Sequence, residues 1–331
     1  MSNELSTAIR AVSLACAVTR RVQADLKTIA EMTKDDRSPV TVADFAAQAV
    51  VAHALCALPE PLRMVGEESS HALRDDTQSA LRAAVTRAVA GVWSDADDAA
   101  VMDAIDLGNH DASSDSYWTL DPVDGTKGFI RGQQYAISLA RIENGHVVLG
   151  VLGCPNLSAD FAADFNSPDP HGCLFYATLG GGTFTMPADN IDAPPQQVRA
   201  RETAEGQIQV CESVEAAHSK QDDSAAIVAS LGGAGTPARL DSQCKYAVVA
   251  RGQADAYLRL PTRKGYMEKI WDHAAGALVA SEAGAIVTDI TGAPLDFSHG
   301  TTLAGNRGVI CASSVYHAKI IQVIGELGLA G

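Results

Sequence analysis

The chain has 331 residues, 47% hydrophobic and 20% charged, with 40 acidic side chains against 25 basic ones and a formal charge of −15. Such a field repels a nucleic-acid polymer, and no Lys/Arg run offers a footprint for one. No apolar stretch reaches the roughly 18 residues that a membrane-spanning helix needs, and the length suits a large core in two domains or two lobes.

The opening MSNELSTAIR carries Glu4 early and has no apolar signal core. No targeting segment is therefore expected, and the cytoplasm is the expected compartment. Residues Leu5–Leu26 pattern as an amphipathic helix. Residues 41–57 read as a second helix, with Thr41 three residues before Asp44 in capping-box spacing. Leu62–Val65 is a short apolar run halted by Gly66, read as a strand end. Residues 94–116, with DADDAA and DASSDS, read as an acidic surface excursion. Strands follow at Tyr117–Leu120, Tyr135–Ile142 and Val147–Gly153, the last two joined by an Asn144-Gly145 hairpin turn.

Residues 187–197 (PADNIDAPPQQ) are poor in large apolar groups and make the expected boundary between an N-terminal lobe, 1–190, and a C-terminal lobe, 198–331. Beyond it strands and helices alternate. Strands are expected at Gln207–Cys211, Arg239–Leu240, Ala256–Leu260 and Ala285–Ile290. Helices are expected at Asp222–Leu231, Cys244–Arg251 and from Asp272 to Ala283, the last stopped by Gly284. This alternation points to a layered α/β fold. The seven cysteines, Cys16, Cys56, Cys154, Cys173, Cys211, Cys244 and Cys311, are odd in number and form no CxxC pair. That argues against a disulfide framework or a zinc site and for a reducing compartment.

The chemistry concentrates in LDPVDGTKGF, residues 120–129. Asp121 and Asp124 bracket Pro122-Val123, which stiffens the turn expected after a strand ending at Leu120. Gly125 permits a tight turn, after which Thr126 and Lys127 open a helix whose N-terminus suits a phosphate oxygen. An ordinary Asx-type turn is the alternative. Three other segments add carboxylates: Glu67-Glu68 after a strand, Asp44 at a helix start, and Asp272 in Trp271-Asp272-His273. Singly, Glu67 and Glu68 read as exposed acids, and Asp44 and Asp272 as helix caps. Together they form an all-oxygen ligand set that selects Mg²⁺ or Mn²⁺ over zinc, and such close acids need cations to compensate them.

Gly108-Asn109-His110-Asp111 imitates another metallophosphatase signature but lacks its partner motifs, and Gly180–Gly182 reads as a hairpin turn. His273 is expected to be a packed or hydrogen-bonded histidine, and Trp271 and Phe129 core residues.

In order along the chain, SPVTVADFAAQAVV, MVGEESS, LDPVDGTKGFIRGQQYAISLA, VVLGVLGCPNL, LDSQCKYAVVARGQADAYLRLP and EKIWDHAAGALVASEAGAIVTDITGAPLDF resemble the 3′(2′),5′-bisphosphate nucleotidases. These belong to the lithium-sensitive inositol monophosphatase superfamily. The resemblance spans about residues 34 to 313 and implies that superfamily's two-lobed sugar-phosphatase fold of alternating helix and sheet layers. It implies Mg²⁺, two or three ions per site, held by Glu67, Asp121, Asp124, Asp272 and the Val123 carbonyl. It assigns Thr126 and Asp44 to activation of the attacking water, and backbone N–H groups of Gly125 and Thr126 to the phosphate.

For the substrate, the resemblance points to His218, Ser242, Lys245, Arg259 and Asp272, with Lys245 and Arg259 chemically suited to a 5′-phosphate. Three positions depart from the family pattern: Ala217 for a glycine, Gln133 for a glutamate and Ala285 for a glycine. The implied activity is removal of the 3′-phosphate of adenosine 3′,5′-bisphosphate, and action on 3′-phosphoadenosine 5′-phosphosulfate as well, by a lithium-sensitive monomer with no polymer or membrane partner. An inositol polyphosphate 1-phosphatase and a low-turnover nucleotide-binding sensor are the alternatives.

Overall fold

The structure, a computed structural model, describes residues 2–26, 38–203, 206–215, 220–233, 236–263 and 265–329. Helix α1, Asn3–Ala24, begins where the Ser2 hydroxyl accepts the Leu5 N–H at 3.2 Å. Leu5, Ile9, Val12, Cys16, Thr19 and Val22 recur every three or four residues along its buried face. Helix α2, Ser38–Leu55, packs on α1. Every residue from Val42 to Ala52 is buried, because α2 is enclosed by other elements on all sides. It begins at Ser38, so Thr41 is not a cap and Asp44 lies in the second turn rather than at the helix start.

Strand β1, Met64–Gly66, begins two residues after the start of the expected run and takes in Gly66. Helix α3, Ser79–Val89, follows. The expected acidic excursion contains helix α4, Asp98–Asp106, capped by the Asp97 carboxylate accepting the Ala100 N–H at 2.8 Å. Of the acids that suggested an excursion, Asp97 is the cap and Asp98 lies in the first turn, while Asp111 and Asp115 stay exposed outside any helix; Val101, Ala104 and Ile105 bury the inner face. Strand β2, Ser116–Asp124, precedes a one-turn helix α5, Thr126–Ile130. Strands β3 (Ala136–Glu143), β4 (His146–Cys154), β5 (Cys173–Thr178), β6 (Gly182–Pro187) and β7 (Gln196–Val198) continue a meander. β1 to β7 form one sheet in chain order, parallel only between β1 and β2.

The second sheet has the order β11-β12-β10-β8-β9. Its strands are β8 (Val210–Glu212), β9 (Ala238–Arg239), β10 (Ala256–Arg259), β11 (Ala285–Thr288) and β12 (Val309–Ser313). Between them run α6 (Gln221–Ser230), α7 (Cys244–Ala250) and α8 (Ala274–Glu282), with α9 (His317–Glu326) at the end.

Strand alternation sorts side chains into layers. Trp118, Leu120, Ile137 and Leu139 pack with α1 and α2, while Tyr117, Ala136, Ala140 and Ile142 face α7 and α8. From the second sheet, Tyr257, Val309 and Cys311 meet α7 and α8 from the other side. Their neighbours Ala256, Leu258, Ile310 and Ala312 meet α6 and α9. The order is helix, sheet, helix, sheet, helix, with α7 and α8 shared by both sheets. Gly276 permits this closeness: a Cβ there would stand 2.2 Å from Cδ2 of Tyr246.

Candidate active site

The loop after β1 is held by Gln48 of α2. Its side chain accepts the Glu68 N–H at 3.1 Å and donates to the Glu68 carbonyl at 2.6 Å and the Ile105 carbonyl at 2.8 Å. This clamp fixes where Glu67 and Glu68 leave the sheet. On β2, Leu120 lies opposite Gly66 on one side and Leu139 on the other, and Asp121 lies opposite Ser138. The expected turn after Leu120 is absent; the strand runs on to Asp124 through an irregularity between Asp121 and Asp124. Residues three apart on a regular strand face opposite sides, and a bulge re-aims one of them. Asp121 and Asp124 thus line the same cavity, and Pro122, without an N–H, sits where no ladder bond is required.

Gly125 then turns the chain with φ of +90° and caps α5. A Cβ at Gly125 would stand 2.8 Å from the Cβ of Ser242, so no side chain fits this crossing of the two segments. Ser242 is itself left-handed at φ +70°, and its hydroxyl accepts the Cys244 N–H at 3.2 Å. The next N–H, that of Gln243, donates to Asp124 Oδ2. Gln243 also donates from Nε2 to the Trp271 carbonyl at 2.8 Å and accepts the Gly276 N–H at 3.1 Å, tying the Asp124 wall to the Asp272 wall.

The resulting cavity of about 500 Å³ is lined by the acids Glu67, Asp121, Asp124 and Asp272, by Val123, and by the bases Lys245 and Arg259. The carboxylates depress one another's ionisation. Burial first, then Glu67, Asp124, Asp272 and Asp44, hold the Asp121 carboxyl far above the usual range. Burial, then Glu68 and Glu67, do the same at Asp44. Burial raises Asp272 to about 8, with Arg259 opposing and Asp124 and Glu67 reinforcing, and burial with Glu67 raises Glu68 to about 7. Glu67 keeps contact with solvent in the cleft, yet burial of its carboxyl, partly offset by a hydrogen bond with Asp121, shifts it upward too.

Asp121 Oδ1 is buried with no hydrogen-bond partner among the described residues. Such an orphaned acceptor among acids is costly unless a cation completes it. The donor set is all oxygen and fits a hard divalent ion. Glu268, Asp272 and His273 also bring ligand atoms within 4.8 Å of one another. That group is an ion-pair network instead: Glu268 accepts from Arg259 at 2.9 and 2.7 Å and from His273 Nε2 at 3.2 Å. His273 Nδ1 is taken by the Tyr246 hydroxyl at 2.8 Å. Burial lowers the fully buried His273, so neutral imidazole joins the two. Burial works against the Glu268 carboxylate, but the His273 N–H and the Arg259 charge outweigh it and hold the group at about 2.

The remaining predicted residues divide. Thr126 opens α5, exposed at the cavity wall; no hydrogen bond joins it to Asp44 among the described residues. Asp44 lies close enough to Glu67, Glu68 and Asp121 to perturb or be perturbed by them. Lys245 lines the cavity but is 2% exposed, and its Nζ donates to the Leu240 and Ser242 carbonyls at 3.2 and 2.7 Å. Burial lowers its pKa against the opposing pull of Asp124 and Asp241. His218 lies outside the described residues. As expected, His273 is packed and hydrogen-bonded, and Phe129 is core; Trp271 is only partly buried. Sequence reasoning passed over Glu268 and Gln243. Both lie inside quoted motifs, and a buried acid or amide beside a site residue is the signal they offered.

The chain matches the family described as "Inositol monophosphatase family" over residues 1–328. It is 42% identical to the 3′(2′),5′-bisphosphate nucleotidase of Emericella nidulans, covering 95% of each chain. To the 3′(2′),5′-bisphosphate nucleotidase of Schizosaccharomyces pombe it is also 42% identical, covering 96% of this chain and 94% of the other. Among solved structures, CysQ of Bacteroides thetaiotaomicron, a bacterial member of the inositol monophosphatase family, superposes with a TM-score of 0.63 at 21% identity, covering 93% of this chain and 96% of the other. The extragenic suppressor protein SuhB of Bartonella henselae gives a TM-score of 0.61 at 18% identity, covering 98% and 99%.

Proposed function

The chain belongs to the inositol monophosphatase family, and within it we propose that it hydrolyses the 3′-phosphate of adenosine 3′,5′-bisphosphate to AMP and phosphate. The observation that carries this reading is a two-headed cavity. Orphaned Asp121 Oδ1 marks an acid-lined bay for cations, and Arg259 and Lys245 bring positive charge to the same cavity beside it. A nucleotide with two phosphates matches that polarity, and full-length relatives are named for that reaction.

Two or three Mg²⁺ ions would be held by Glu67, Asp121, Asp124, Asp272 and the Val123 carbonyl. Bound there, magnesium supplies neutralisation of the phosphoryl and leaving oxygens. The Gly125 and Thr126 N–H groups, at the turn crossing Ser242, would hold a phosphoryl oxygen. The Thr126 hydroxyl would orient the attacking water. Asp44 would take its proton, as a carboxyl already biased toward protonation by burial can do. Arg259 and Lys245 would hold the 5′-phosphate, with Ser242 and His218 completing the nucleotide site.

The test is relative kcat/KM on adenosine 3′,5′-bisphosphate, 3′-phosphoadenosine 5′-phosphosulfate, inositol 1-phosphate and inositol 1,4-bisphosphate. The two nucleotides are expected to lead by at least about tenfold, the scale of one well-formed charged contact. Preference for either inositol phosphate would overturn the nucleotide reading. Tight nucleotide binding without phosphate release would make the chain a sensor.

A further inference from the structure

Arg259 ends β10 with its side chain 19% exposed. It has two carboxylates to choose between. Nη2 lies 2.7 Å from Glu268 Oε2 and 3.9 Å from Asp272 Oδ2, while Nε donates to Glu268 Oε1 at 2.9 Å. The bond to Glu268 is therefore side-on and bidentate, which fixes the plane of the guanidinium as well as its place. Asp272 is one of the acids lining the cavity, so an Arg259 that swung from Glu268 onto it would neutralise that acid and lose its own fixed orientation.

Glu268 is held in turn. Its second oxygen also accepts from His273 Nε2, and His273 is fixed by the Tyr246 hydroxyl. Its backbone carbonyl accepts the Leu303 N–H at 2.8 Å. Tyr246 and His273 are fully buried, and Tyr246 meets Tyr257 edge-to-face at 5.1 Å. The chain from Tyr246 to Arg259 thus ends on a cation at the cavity, with each link set by the one beneath it. A counter-charge serving only to offset a buried arginine needs no such backing.

We infer that Glu268 is a positioning residue, holding the Arg259 guanidinium at the cavity wall and away from Asp272, and so sets the enzyme's preference for substrates bearing a second phosphate. The inference rests on the nucleotidase reading above. It adds a residue at the cavity edge whose role runs through Arg259.

The test is a double-mutant cycle with E268Q and R259K, the magnesium concentration held constant. For each variant, kcat/KM is measured on adenosine 3′,5′-bisphosphate and on adenosine 3′-monophosphate, which lacks the 5′ group. The readout is the ratio of the two. E268Q is expected to lower that ratio about tenfold, chiefly through KM of the bisphosphate, and to add little once R259K is present. Equal losses on both substrates in E268Q, or full multiplication in the double variant, would overturn the inference. A wild-type ratio near one would instead overturn the nucleotidase reading, before any variant is made. Where E268Q melts below the assay temperature, E268D carries the same cycle, since it keeps the charge but cannot reach both guanidinium donors.

Discussion

A carboxylate buried as deeply as Asp121, with one oxygen unpartnered, costs folding free energy unless another charge completes it. Its neighbours make the cost general, and it has a pH signature. Glu68 and Asp272 move from ordinary values of 4.5 and 3.8 to about 7 and about 8. Both shifts are upward, so the folded chain binds more protons than the unfolded chain between those limits. Stability from this source is complete below pH ~4 and is lost as pH rises through ~7 to ~8. In EDTA, the melting temperature is therefore expected to fall between pH 5 and 8.5, and Mg²⁺ is expected to restore more of it at pH 8.5 than at pH 5. A melting temperature that rises across that window would contradict the acid-bay account. At this scale the acids that line the cavity could be picked out as candidates, because DPVDGT and WDHAAG hold three of them at fixed spacing. The exceptions have physical reasons. Asp44 looks like a cap only if its helix starts late, and Glu268 shows its partner Arg259 only once β10 and the loop before α8 are folded together.

Elements were legible where period and punctuation agreed. The Asn144-Gly145 hairpin between β3 and β4 and the Gly284 stop after α8 both stand where expected. They were misread where composition outweighed period, as in α4, where Asp97 and Asp98 proved to be cap and first turn of a helix. Helix α8 makes the tightest demand. Its first turn is Ala274, Ala275, Gly276 and Ala277, all buried, and it lies between the two sheets against Tyr246. An added methyl in such a seam forces side chains off their rotamers. G276A is expected to destabilise the fold by about 1–3 kcal/mol in urea titration with m unchanged. Because Tyr246 carries His273 and Glu268, the same variant should weaken the bisphosphate preference as well; wild-type stability would mean that the seam is looser than described.

Over the whole molecule, the site exists only where the sheets meet. The first sheet and its loops bring Glu67, Asp121 and Asp124, the second brings Arg259, and the turn into the shared helix α8 brings Asp272. No single segment could show this. The alternation of strands and helices announced the layers, but the sharing of α7 and α8 between two sheets also depends on first-sheet contacts more than a hundred positions away, such as Gly150 against Ala275. The central claim is that the acid bay works by holding divalent cations against a nucleotide bisphosphate. It is tested most directly by phosphate release from adenosine 3′,5′-bisphosphate, using metal-stripped chain with and without Mg²⁺, for wild type and D121N. Release should be lost in EDTA, return with Mg²⁺ in the wild type, and stay at least about a thousandfold lower in a folded D121N, as loss of one ligand from a charge-stabilising site requires. Undiminished release in EDTA, or near-wild-type turnover by D121N, would contradict it.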